Sequence, residues 1–180
     1  MSPVCEFLSL RIQTMKKPAT DFEALREDLR NVYDGDPWHG SSIVAVLDGI
    51  DAKTAALRSV PKAHTIWELV LHMTGWTREV TSRARGAPPK SPPEDWPVPD
   101  THGGEKAWQA ARDDLRDAHR ELEQVVASLS PDDLTRPIGK ERDAALGTGY
   151  SLGTLLRGLL EHHTYHEGQI AILKRAAETF

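Results

Sequence analysis

Apolar residues recur along this chain at the three-to-four-residue spacing of helices, and no stretch alternates with period two for long enough to make a strand. "TDFE", Thr20 to Glu23, has the Ser/Thr-x-x-Glu form of a capping box and opens a helix predicted to reach about Tyr33. "DGDPWHGSS" breaks it. "SSIVAVLDGI" and "DAKTAALRSV" then predict one short helix or two, ended by Pro61. "TIWE", Thr65 to Glu68, repeats the box and starts a second long helix with apolar positions 66, 69, 70, 73, 76 and 80. A third runs from about Glu105 to Leu129, with apolar positions 108, 111, 115, 118, 122, 125, 126 and 129. "SPDDL" predicts a capped single turn with Pro131 at its favoured first position, and "RPIGKERDAALGTGY" predicts irregular or partly extended chain. Ser151 caps the last long helix, which is predicted to end near Ala177.

Between the second and third long helices lie residues 85 to 104, which hold six of the chain's twelve prolines. That density forbids helix or central strand and predicts a long surface loop. Trp96 within it argues for a docked loop, because an indole gains nothing in a disordered tail. Four amphipathic stripes bury one another most simply side by side. The expected fold is therefore all-α: a four-helix bundle with short extra helices and this Pro-rich loop. Residues 18–180 are expected to form one domain and residues 1–17 a loosely ordered amino-terminal extension.

Composition narrows the function classes. The chain has 180 residues and a formal net charge of −5, with acids and bases interspersed and no basic stripe for phosphates. That argues against nucleic acid as a partner. Its one cysteine, Cys5, excludes an intrachain disulfide and a cysteine-rich zinc site. Glu6 and Arg11 interrupt the apolar residues of the opening segment, which does not read as a signal peptide, and no apolar run is long enough for a membrane span. The expectation is a soluble, cytoplasmic protein.

The candidate chemistry is in the histidines. "EHHTYHEGQIAIL", residues 161 to 173, places three of them on the last helix. His162 and His166 are about 40° apart and one turn displaced, so both side chains can meet at one ion. His163 and His166, about 60° apart, could share one too. The apolar stripe of Leu152, Leu155, Leu156, Leu159, Ile170 and Leu173 passes between these positions, so periodicity does not choose the pair. A third imidazole, His72, lies at the edge of the inward face of the second long helix. Helices 8–10 Å apart let long side chains converge in the core, where bundles commonly build metal sites. Three histidines with an open position suit catalysis rather than a closed structural site. Imidazole admits zinc, nickel, iron or manganese without choosing among them. His64 reads as a helix-start residue, His102 as a loop residue and His119 as a solvated or satisfied edge residue, with His39 undecided.

Five segments carry a resemblance: "GDPWHGSSIVAVLDGI", "AHTIWELVLHMTGW", "EDWPVP", the "KAW…L" start of the third long helix, and "EHHTYHEGQIAILKR". In that order they resemble the DinB-like, or YfiT-like, superfamily of four-helix-bundle metalloproteins over about residues 20 to 178. The resemblance implies one ligand from the second long helix and two, at i and i+4, just before the Gly-Gln of the last. On this chain those are His72, His162 and His166, with His163 left out.

The function it implies is diverse. Some similar proteins transfer bacillithiol, mycothiol or glutathione onto electrophiles, and one branch isomerises maleylpyruvate with a thiol cofactor. The first expectation is a metal-dependent transferase that joins a low-molecular-weight thiol, as cosubstrate, to an electrophilic small molecule. The alternatives are a metal-dependent hydrolase using activated water and a non-catalytic, stress-related metal-binding protein. A hydrolase would want a general base, and Glu68, Glu161 and Glu167 are the nearest carboxylates in sequence, each expected on the solvated face. Trp38, His39, Trp96 and Gln169 are candidate pocket residues, Gln169 alternatively bracing a ligand histidine. A homodimer is compatible with all three readings.

Overall fold

The computed structural model describes residues 20–143 and 146–178, so the expected extension, residues 1–17, lies outside the described residues. Six α-helices are found among the described residues: α1 (Asp21–Asp34), α2 (Ile43–Leu47), α3 (Ala52–Ala56), α4 (Ile66–Ala84), α5 (Gly104–Ser128) and α6 (Leu152–Ala177). The four long ones fall where the apolar periodicity puts them. The uncertain stretch before Pro61 is two short helices, capped by the side chains of Ser42 and Asp51.

Local chemistry explains the boundaries. Thr65 and Glu68 form the reciprocal box at the start of α4, the Glu68 carboxylate accepting from the Thr65 N–H at 2.6 Å. Thr20 caps α1 and Ser151 caps α6, each accepting from the backbone N–H three residues on. The "SPDDL" turn is a 3₁₀ turn, Pro131–Thr135. Beyond it, β1 (Pro137–Ile138) pairs antiparallel with β2 (Tyr150–Ser151). These are strands the sequence did not predict, because two residues are too few to show a period.

α4 packs against both α5 and α6, and α1 closes the bundle against α5 and α6. The core is in two apolar halves. One gathers Ile66, Trp67, Met73, Trp108, Leu115 and Ile170, and the other Leu29, Val80, Leu122, Leu152, Leu156 and Leu159. Between Met73 and Val80 on α4 come Thr74 and Thr77; between Leu115 and Leu122 on α5 comes His119; between Leu159 and Ile170 on α6 come His163 and His166, all five buried. A polar belt therefore crosses the middle of the bundle.

The Pro-rich loop is docked, as Trp96 suggested. Arg83 and Glu79, both buried, form an ion pair at 2.8 Å whose remaining groups hold loop backbone. Arg83 donates to the Lys90 and Leu146 carbonyls, and Glu79 accepts from the Lys90 N–H. Burying two charges is tolerable because each is paired and hydrogen-bonded. No helix among the described residues is long and apolar enough to cross a membrane.

Candidate metal centre

α4 and α6 bring His72, His162 and His166 together, and among the described residues no fourth histidine, cysteine or carboxylate joins them. The His72 and His162 Nε2 atoms are 2.9 Å apart, and those of His162 and His166 are 3.0 Å apart. Each outer ring is held from behind. His72 donates its Nδ1–H to the Asp95 carbonyl oxygen at 2.6 Å, and His166 donates its Nδ1–H to the Gln169 side-chain oxygen at 2.7 Å. Those bonds fix the tautomer, leaving both Nε2 atoms as lone pairs aimed inward. With its proton on Nε2, His162 can donate to only one of them; with the proton on Nδ1, its own Nε2 lone pair faces both. At least one close contact is therefore left without a proton, lone pair against lone pair. A cation removes that repulsion, and the donor set fits a divalent ion.

Basicity agrees with ligation. Burial lowers the pKa of His72, which the Asp95 carbonyl and carboxylate oppose. Burial and the neighbouring rings of His166 and His72 bring His162 down to about 3. Burial lowers His166 against the bond from Gln169. All three imidazoles are neutral at neutral pH, the form that binds metal.

The Pro-rich loop builds one wall. Trp96 lies between two imidazoles, stacked on His72 at 3.9 Å and on His64 at 3.5 Å between ring centroids. His64 is thus more than a helix-start residue, since its ring backs the indole that covers a ligand. Asp95 accepts from the Trp76 indole N–H at 2.8 Å. A cavity of about 700 Å³ opens beside the triad, lined by His72 and His162 together with residues of α4, α6 and the two loops.

A sequence model of the DinB superfamily matches residues 38–170, which include all three histidines. The chain belongs to the DinB superfamily. Neither the curated proteins nor the solved structures contain a match to it.

The other sequence candidates divide. Gln169 braces His166, and Trp96 covers His72, as described. His39 stands 3.3 Å from the Glu167 carboxylate and reaches Thr164, outside the triad. Trp38 is fully exposed. Glu167 is buried against His39, not solvated, and burial raises its pKa. Glu68 is taken up by the α4 cap and by Arg58. His163, excluded from the ligand set, is fully buried on the bundle side of α6, where its Nε2–H donates to Thr77 at 3.2 Å. His119 is a correction. It is 1% exposed, stacked on Tyr33, and neither ring nitrogen has a hydrogen-bonding partner. Its place between Leu115 and Leu122 on the apolar stripe was the signal for burial. Asp95 was missed because its contribution to His72 is a backbone carbonyl, which no side-chain pattern announces.

Proposed function

We propose that this DinB-superfamily protein is a metal-dependent transferase that joins a low-molecular-weight thiol to an electrophilic small molecule. The observation that carries the reading is the three-imidazole set left open toward a cavity. A closed structural site would use four protein donors, and an open one leaves room for an exogenous group. The cavity lining has no cysteine, so in this reading the thiol enters from solution.

His72, His162 and His166 would hold the ion, with zinc, nickel, iron and manganese all compatible with imidazole. A divalent ion supplies Lewis acidity there, lowering the pKa of a bound thiol so that a thiolate is present at neutral pH. The protein's part is orientation and exclusion. The Asp95 carbonyl and Gln169 keep two rings aimed inward. Trp96 shields the outer face of His72 from water, and Trp76, Val80, Leu155 and Leu159 give the electrophile an apolar wall.

Hydrolysis is the second reading, favoured by Glu161, an exposed carboxylate that lines the same cavity. The deciding experiment incubates untagged, metal-loaded protein with a panel of thiols and an aryl electrophile, and follows thioether formation. Metal-dependent thioether product supports the transferase. Ester or amide turnover without thiol supports hydrolysis in its place, and neither activity across the panel rejects both.

A further inference from the structure

The cavity beside the triad is not chemically uniform from end to end. Its metal side carries His72, His162 and two carboxylates, Asp95 and Glu161. Asp95 is engaged by the Trp76 indole and lies 3.3 Å from His72 Nδ1. Glu161 directly precedes His162, where a divalent ion on the triad would offset its charge. The middle is apolar, with Trp76, Val80, Leu155 and Leu159. Level with it on α6, between Leu155 and Leu159, stands Arg157, five residues before His162 and so roughly 7–8 Å along the helix axis. Side chains on a helix lean toward its amino terminus, which carries the guanidinium further from the triad.

Arg157 is exposed and has no carboxylate within ion-pair distance among the described residues, its neighbour one turn on, Glu161, included. On the long helices Arg78, Arg83, Arg116 and Arg120 are paired with Asp114, Glu79, Asp113 and Asp117, whereas Arg26, Arg30, Arg112 and Arg175 form no ion pair among the described residues. Arg157 is the one that lines the cavity beside the triad. Nearby, the Arg142 guanidinium lies over the Tyr150 ring at 5.1 Å. Arg157 is left with its fork of donors beside the apolar wall of the cavity, about one and a half turns from His162. A guanidinium in that setting recognises a carboxylate or similar oxyanion, often through two parallel bonds.

We propose that this cavity takes a small molecule with an apolar body and one anionic group, the anion seated on Arg157 and the body pointing toward the triad. The proposal names the substrate class of the site read above as a metal centre, and rests on that reading. It gives Arg157 a binding role at the end of the molecule away from the chemistry, where it selects and orients without taking part in bond making.

The test compares three probes of similar shape on the full chain: 4-phenylbutyrate, its neutral amide 4-phenylbutanamide, and 4-phenylbutylamine. Binding is measured by calorimetry with zinc loaded and again after zinc removal. In the wild type the carboxylate binds at least about tenfold tighter than the amide, with or without zinc. Arg157→Gln removes that preference and leaves the amide unchanged, and Arg157→Glu turns the preference toward the amine. Leu155→Trp, which fills the cavity, weakens all three probes. Equal binding of carboxylate and amide by the wild type overturns the proposal. So does a preference that survives Arg157→Gln, or one that vanishes with zinc, since the carboxylate would then sit on the ion. Failure of the metal-centre reading shows separately, as a chain that holds no zinc. Failure of thiol transfer shows only in turnover, which these titrations do not use.

Discussion

His162 and His163 are neighbours in the chain and belong to two different worlds in the bundle. His162 joins His72 and His166 in a ring of inward-facing Nε2 atoms at the edge of the core. His163 joins His119 in the interior, the two rings 4.7 Å apart, with Tyr33 stacked on His119 at 4.0 Å. Burial depresses the basicity of both groups. Depressed basicity therefore does not mark a ligand. What separates the groups is that three Nε2 atoms converge in one of them, two with a partner behind the ring. His72 and His166 have acceptors at Nδ1 that turn the other nitrogen inward, whereas both nitrogens of His119 and the Nδ1 atoms of His162 and His163 have no partner. Buried imidazoles make a metal site where their Nε2 atoms converge and two of the three are held from behind, and are otherwise core filling with a polar cost.

The strongest way to break that comparison is to make one substitution in both groups. His72→Leu, His162→Leu and His166→Leu should each take the metal content of reconstituted, untagged protein from about one ion per chain to almost none. His163→Leu should keep it. Elemental analysis reads the result directly. An ion that survives His162→Leu, or is lost with His163→Leu, would show that the wrong neighbour has been assigned.

A smaller effect tests the acceptors alone. Gln169→Leu removes the bond behind His166 and should weaken metal binding about 10–100-fold, as loss of an outer hydrogen-bonding partner typically does. Asp95→Ala should do much less, because the acceptor behind His72 is the backbone carbonyl, which alanine retains. Competition with a chromogenic chelator measures both. Equal losses in the two variants would mean that the Asp95 carboxylate, 3.3 Å from His72 Nδ1, carries more of the work than its carbonyl.

The two groups also differ in how far the sequence discloses them. Helical spacing placed the four long helices, because burial of one stripe per helix leaves a strong period. It could not choose between His162 and His163, since the apolar stripe passes between them and a helix presents both toward the core. Family resemblance made that choice, and the inward Nε2 geometry agrees with it. The support around the site was less legible. The Asp95 carbonyl and the His64–Trp96–His72 stack depend on where a loop with six prolines docks, and no periodicity governs that. His119 was misread even though its place on the stripe was visible, because polarity was given more weight than position.

Acid should expose the interior group. Burial holds His119 at about 3 in the folded chain, against an ordinary value of 6.5. Above pH 6.5 the ring is neutral in both states and contributes no pH dependence. As pH falls from 6.5 toward 3, the unfolded chain takes up a proton that the folded chain refuses. Stability then drops by up to about 1.4 kcal/mol per pH unit from this residue. His119→Leu should flatten that part of the stability–pH curve, measured by urea unfolding from pH 7 to pH 4. An unchanged slope would mean that His119 gains a proton in the folded state, which its packing against Tyr33 and His163 argues against.

At neutral pH the same variant gives the smallest and most discriminating result. Leucine is close to histidine in volume and brings no nitrogen needing a partner, so the packing between Leu115 and Leu122 can be kept while the polar cost is removed. His119→Leu should therefore raise stability by about 1 kcal/mol at pH 7, the lower end of what an unsatisfied buried polar group costs. It should leave metal content unchanged. A matching gain is not expected from His163→Leu, which gives up the bond to Thr77. If His119→Leu destabilises the chain at pH 7, the ring has a partner within the belt. The contrast between held and unheld imidazoles would then narrow to His163 alone.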